Sequence, residues 1–220
     1  GGKTNKEAKY PDQQKQSFDW QDLKEVLSHK KLWGIYIGQF SVNSTLWFFL
    51  TWFPTYLVKY RGLNFITSGF WASIPFLAAF AGLLLSGFLS DAMLKKGISA
   101  SIARKMPVIT GLLLSMFIMG ANYVDSPLFI IVFMSIAFFG NGFASITWVF
   151  VSALAPKHLI GLTGGVFNFI GGLALIIPIS IGLLAHDGNF APALALIGGI
   201  AFTGACSYIF LVGKVESIEL

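Results

Sequence analysis

Six windows of the 220-residue chain contain no Asp, Glu, Lys or Arg: 32–58, 62–90, 106–124, 126–156, 158–186 and 188–213. Each is about as long as, or longer than, the ~20 residues an α-helix needs to cross the hydrocarbon core of a bilayer. The windows are solidly apolar rather than alternating, which excludes the strands of an outer-membrane barrel. Only 11% of the residues are charged, against about a quarter in soluble domains. The fold class that follows is an all-α membrane protein, a six-transmembrane-helix bundle over 32–215. Spans are expected near 32–57, 66–90, 107–123, 127–154, 160–185 and 191–213.

The charges that remain orient the bundle. With the first span starting inside, thirteen of the fifteen Lys and Arg residues are cytoplasmic, and only Lys59 and Arg61 lie outside. The other two outer turns carry Asp125 and Asp187. This asymmetry places both ends in the cytoplasm and the loops at 91–106 and 155–159 on the same side. The net charge of +5 therefore reflects topology and lipid contact, and no nucleic acid is expected as a partner. The opening "GGKTNKEAKYPDQQKQSFDW" is hydrophilic and lacks an initiator Met, so it reads as the middle of a longer polypeptide.

Residues 1–31 read as a cytoplasmic linker, disordered over 1–16 by composition and ending in an interfacial helix over 19–31. There Trp20, Leu23 and Leu27 share one face. Residues 216–220 read as a cytoplasmic tail. Cys206 is the only cysteine, so no internal disulfide is possible, and a packing role is expected. Pro107, Pro127 and Pro192 are expected at helix starts, Pro54 and Pro156 near exits, and Pro75 and Pro178 inside spans that they kink. The first and fourth spans also echo one another: "STLWFFL" at 44–50 against "SITWVFV" at 145–151. Because these spans run in opposite directions, a true repeat would be two three-helix units in inverted topology, as in many secondary transporters.

Polar groups inside these spans are costly and need partners. At about 100° per residue, Asn141, Ser145, Trp148 and Ser152 share an arc of roughly 60°, and Thr147 points about 100° away from Trp148. Tyr36, Gln39, Asn43 and Trp47 form a second stripe. Asn168 lies among Gly164, Gly165, Gly171 and Gly172 on the fifth span. Ser and Thr can bond back along their own helix, and amides can join neighbouring helices. Four amides together, Gln39, Asn43, Asn141 and Asn168, carry a larger donor and acceptor load, which a wet central cavity would satisfy. Amides and hydroxyls recognise hydroxyls, and a Trp face packs against the C–H face of a sugar-like chain. No charged or His residue lies mid-span, so counter-charges and proton-relay groups must come from elsewhere. An intramembrane serine protease is disfavoured because no central His faces Ser145. A channel or scaffold without coupling is the remaining alternative, disfavoured by two Trp residues on the presumed cavity faces and by the absence of a ring of charge.

The segment "GFLSDAMLKKG" at 87–97 resembles the G-x-L-x-D-x-x-x-[K/R] loop of the major facilitator superfamily. With "NSTLWFFLTWFPTYL", "GNGFASITW" and "HLIGLTGGVFNFIGG", the chain resembles the C-terminal half of sugar-acid transporters of the galactonate and glucarate type, in the anion:cation symporter family. The resemblance covers residues 17–215. It implies the second half of a twelve-helix fold with 3+3 inverted repeats in a bacterial inner membrane, importing an aldonate or aldarate anion with protons and no cofactor beyond the coupling proton. It also implies substrate contacts from Gln39, Ser145, Thr147, Trp148 and Asn168. Asn43 joins them from its stripe, with Tyr36, Trp47 and Asn141 lining the cavity. The partner is then an N-terminal six-helix half, which in such transporters carries the carboxylate-binding Arg and the coupling acids.

Overall fold

The computed structural model describes residues 19–185 and 188–218. The expected linker over 1–16, the pair His186 and Asp187, and the last two residues of the expected tail lie outside them. The short helix α1 (Trp20–Ser28) starts where Asp19 accepts the Gln21 N–H at 2.9 Å. It is shorter than the expected 19–31, because the backbone extends at His29 and α2 (Lys30–Thr51) begins directly after. The α1 face that packs onto the bundle centres on Val26, beside the stripe of Trp20, Leu23 and Leu27 expected at the membrane interface. Val26 is buried and Leu23 packs beside it, whereas Trp20 and Leu27 are exposed. The cause is local. Tyr36 and Trp33 of α2 donate side-chain hydrogen bonds to the carbonyls of Val26 and Leu27, at 3.3 and 2.6 Å. The last turn of α1 is thereby capped and rolled against α2.

Beyond α2 the chain continues through α3 (Phe53–Thr55) and a π-helical turn at Tyr56–Tyr60. The remaining helices are α4 (Phe65–Lys95), α5 (Ala100–Ser115), α6 (Pro127–Ala144), α7 (Trp148–Leu154), α8 (Ile160–Gly172), α9 (Ile177–Leu184) and α10 (Ala191–Phe210). Turns of 3₁₀ helix extend α5 over Met116–Tyr123, join α6 to α7 over Ser145–Thr147, and join α8 to α9 over Leu173–Ile176. Among the described residues, five segments are long and apolar enough to cross a membrane: Phe65–Lys95, Ala100–Tyr123, Pro127–Leu154, Ile160–Leu184 and Ala191–Phe210. The expected first span, α2, is 22 residues long but is not among them. Gln39, Ser41, Asn43, Ser44 and Thr45 lower its hydropathy.

Two expectations at the helix ends need correction. The segment 91–106 is mostly helical, since α4 runs on to Lys95 and α5 starts at Ala100 with Ser99 as its cap. Only a short turn remains, closed by Gly97 in the left-handed region at φ +79°. At about 1.5 Å per residue the 31 residues of α4 reach about 46 Å, well beyond a hydrocarbon core of about 30 Å. Charged residues can therefore continue the helix outside the lipid. Pro107 consequently lies inside α5, not at its start, while Pro127 and Pro192 open α6 and α10 as expected.

Close backbone approach holds the bundle together. A methyl group at Gly142 would sit 2.0 Å from the Ala79 carbonyl oxygen, and one at Gly111 would sit 2.4 Å from that of Gly140. Glycine at these positions lets α4 and α5 press onto α6, the small-residue packing expected where lipid offers no hydrophobic contrast. The principal helix pairs are α4–α6, α2–α10, α5–α6, α2–α8 and α5–α10. At one end Arg61 donates to the Tyr56 hydroxyl and to the Val124 and Ala121 carbonyls, and it pairs with Asp125 at 3.8 Å. At the other end residues 213–218 run back across the helix termini. The Val215 N–H donates to Ser101 Oγ at 2.8 Å, the Ile218 N–H to the Leu154 carbonyl at 2.9 Å, and Lys31 pairs with Glu216 at 3.6 Å.

Candidate functional site

The polar side chains of the mid-bundle meet where α2, the α6–α7 junction and the end of α8 converge. Thr147 Oγ1 donates to Gln39 Oε1 at 2.6 Å. Gln39 Nε2 donates to Asn43 Oδ1 at 3.4 Å, and Asn43 Nδ2 donates to the Gly171 carbonyl at 2.9 Å. One directional chain thus ties three helical segments together. Gly171 is required for it, since a methyl group there would lie 2.7 Å from Gln39 Cγ and 3.0 Å from Asn43 Nδ2. The chain leaves one N–H of each amide unengaged.

Gln39, Asn43, Asn141, Ser145 and Thr147 line a cavity of about 330 Å³ with Val42, Leu46 and Phe138. Its remaining wall is Gly142 of α6 with Ala79, Phe80 and Leu83 of α4. These apolar residues carried no signal in the sequence. Phe138 stacks on Phe49 at 3.9 Å and meets Phe76 edge-on at 5.0 Å. Asn141 is 3% exposed, and its Oδ1 has no partner. Ser145 Oγ donates to the Asn141 carbonyl at 2.8 Å, four residues back.

Trp148 and Asn168 are placed elsewhere. With Ser152, Gly161, Gly164 and Gly165 they line a second cavity of about 450 Å³ between α7 and α8. Trp148 is half exposed and meets Phe167 edge-on at 5.0 Å. Asn168 is exposed and has no hydrogen-bond partner among the described residues. The two cavities are adjacent in the chain, since Thr147 belongs to one and Trp148 to the other. The stripe drawn from Asn141 to Ser152 is therefore split. Residues 145–147 form a 3₁₀ turn, with Ile146 at ψ 17°, so the angle per residue changes there and the helical extrapolation fails. The same break turns Thr147, which the stripe had left aside, onto Gln39.

Two further expected lining residues sit away from both cavities. Tyr36 is fully buried in the core, its hydroxyl on the Val26 carbonyl. Trp47 is partly buried against the aromatic cluster of Phe48, Phe49 and Phe53. No charged side chain lines either cavity among the described residues.

This arrangement can present amide and hydroxyl groups to a small polar molecule, and it offers no counter-charge of its own. The sequence profile of the Major Facilitator Superfamily matches residues 3–178. The chain belongs to that family. Members of the Major Facilitator Superfamily are transporters, not enzymes, and this chain is accordingly a multi-pass membrane protein. It is 53% identical over 219 residues to the D-galactonate transporter of Escherichia coli O6:H1, an alignment covering 99% of this chain and 51% of that protein. It is 44% identical over 203 residues to a "Probable galactarate/D-glucarate transporter" of Bacillus subtilis, covering 91% and 45%. A "Probable L-galactonate transporter" of Escherichia coli K12 is 28% identical over 198 residues, covering 88% and 43%. The chain thus spans about half the length of the curated relatives it matches.

Proposed function

We propose that the chain is the C-terminal half of a secondary transporter that carries a sugar-acid anion, D-galactonate foremost, into a bacterial cell together with protons. The observation that carries this reading is the convergence of Thr147, Gln39 and Asn43 on a small charge-free cavity, in a chain 53% identical to a D-galactonate transporter. Gln39, Asn43, Ser145, Trp148 and Asn168 contact the hydroxyls of the sugar chain, and Thr147 acts through Gln39. The carboxylate and the proton require charged groups, which an N-terminal six-helix half supplies.

In this reading α2 is the first of six spans. Its polar residues are satisfied within the bundle, Asn43 by the Gly171 carbonyl of α8 at 2.9 Å, and Ser41 and Ser44 by the Ile37 and Phe40 carbonyls of α2 itself at 2.9 and 2.7 Å. The pattern of helix pairs supports two inverted three-helix units. Exchanging each span with the one three places on converts the α2–α8 pair into α6–α4 and the α2–α10 pair into α6–α5, and leaves α5–α10 unchanged; all five pairs occur. The end carrying Arg61 and Asp125 faces the periplasm, and the end carrying Lys31, Lys95 and Lys105 faces the cytoplasm.

The test is uptake of radiolabelled D-galactonate into proteoliposomes. The chain joined to an N-terminal half takes up label under an inward proton gradient and loses uptake with a protonophore. The chain alone takes up none. Proton-driven uptake by residues 1–220 alone contradicts the proposal.

A further inference from the structure

Resting on the transport reading, the first cavity takes a definite hydrogen-bonding polarity from the direction of its amide chain. The Gly171 carbonyl can only accept, so Asn43 meets it with Nδ2, at 2.9 Å. That turns Asn43 Oδ1 toward Gln39, which meets it with Nε2, and Gln39 Oε1 is left to accept from Thr147. Both amide oxygens are therefore occupied, and each amide keeps one N–H. Asn141 has the same sign. Its side chain lines the cavity and is 3% exposed; Oδ1 is fully enclosed, and Nδ2, without a partner among the described residues, is the polar atom left accessible. Ser145 directs its proton to the Asn141 main chain. A nearly buried donor without an acceptor is costly, and the cost is relieved by whatever brings an acceptor.

We infer that this cavity recognises an acceptor oxygen of the substrate, with Asn141 Nδ2 as a specificity-determining donor together with the free N–H groups of Gln39 and Asn43. A sugar hydroxyl placed there is read through its lone pairs, not through its proton. A keto oxygen at the same carbon also accepts and fits the same donors. A deoxy carbon accepts nothing and leaves the N–H groups unpaired, the situation in which a polar site rejects an analogue most strongly. The site therefore takes polyhydroxy acids and their keto counterparts alike at one carbon, and rejects the deoxy acid.

The experiment uses the complete transporter containing this chain and measures equilibrium binding of D-galactonate and of keto and deoxy analogues at each carbon in turn. At one carbon the parent binds the deoxy analogue about ten- to hundredfold more weakly than D-galactonate, and the keto analogue within about threefold of it. Asn141→Leu reduces that deoxy penalty by about threefold or more, while penalties at the other carbons persist. Asn141→Ala serves if the Leu variant does not fold, as judged by its melting temperature. Asn141→Asp puts a carboxylate acceptor where the N–H stood, so it reverses the preference and binds the hydroxyl form more tightly than the keto form. A parent with no carbon at which the deoxy analogue is weakened and the keto analogue spared overturns the inference. So do folded Asn141 variants that keep the parent's profile. Failure of the parent to bind any of these sugar acids overturns the transport reading itself.

Discussion

At the scale of residues, the environment of each amide separates binding from folding. Asn168 is exposed, has no partner among the described residues and lines the second cavity. Asn168→Ala is expected to change stability by less than about 0.5 kcal/mol, while substrate affinity in the complete transporter falls several-fold to about a hundredfold. Thr147 differs. Its hydroxyl is buried and bonded to Gln39, so Thr147→Val leaves a buried acceptor unpaired. It is expected to cost about 1–3 kcal/mol of stability and to weaken binding as well, since Gln39 loses its orientation. Denaturation and binding measured on the same purified protein check both. Gln39, Asn43 and Asn168 were legible in the sequence because an amide inside an apolar run stands out. Thr147 was legible only through the family resemblance. A helical wheel assumes one continuous helix, and the 3₁₀ turn at 145–147 changes the angle per residue. The wheel also reports a face and not a depth. Tyr36 shares the face of Gln39 but lies beside α1, where a carbonyl claims its hydroxyl.

At the scale of elements, backbone contact predicts which glycines tolerate a side chain. Gly142→Ala places a methyl 2.0 Å from the Ala79 carbonyl oxygen, backbone that cannot swing aside, so α4 and α6 must separate. The expected loss is about 1–3 kcal/mol, read as a lowered Tm. Gly199→Ala on α10 meets nothing within 4 Å and is expected to be neutral. Gly171→Ala is the informative intermediate case. Its methyl meets the side chains of Gln39 and Asn43, so it is expected to disrupt the amide chain and reduce binding more than Gly142→Ala does for the same change in Tm. The spans themselves were legible because charge-free windows report where lipid lies. Their ends were less so. Lys95, Arg104 and Lys105 sit inside α4 and α5, since a helix continues past the hydrocarbon wherever its backbone remains favourable. The breaks at 116–123 and 145–147 carry Gly, Asn or Ser residues of kinds that unbroken spans also contain, and the one at 173–176 is the wholly apolar Leu-Ala-Leu-Ile, which carries no break signal.

At the scale of the whole molecule, the account rests on an orientation and on a cavity that serves a ligand. The orientation predicts that, in intact cells, a periplasmic maleimide modifies a cysteine placed at Asn64 and spares one placed at Lys96. Modification at Lys96 with protection at Asn64 reverses the topology. That the amides of both cavities bind one ligand is the central claim, the alternative being that they only join helices. The most direct test compares Gln39→Ala, Asn168→Ala and the parent in the complete transporter, measuring D-galactonate affinity and Tm on each. The account predicts that Asn168→Ala lowers affinity with Tm unchanged, and that Gln39→Ala lowers both. Parent-like affinity in both variants, with a Tm that falls sharply, contradicts it.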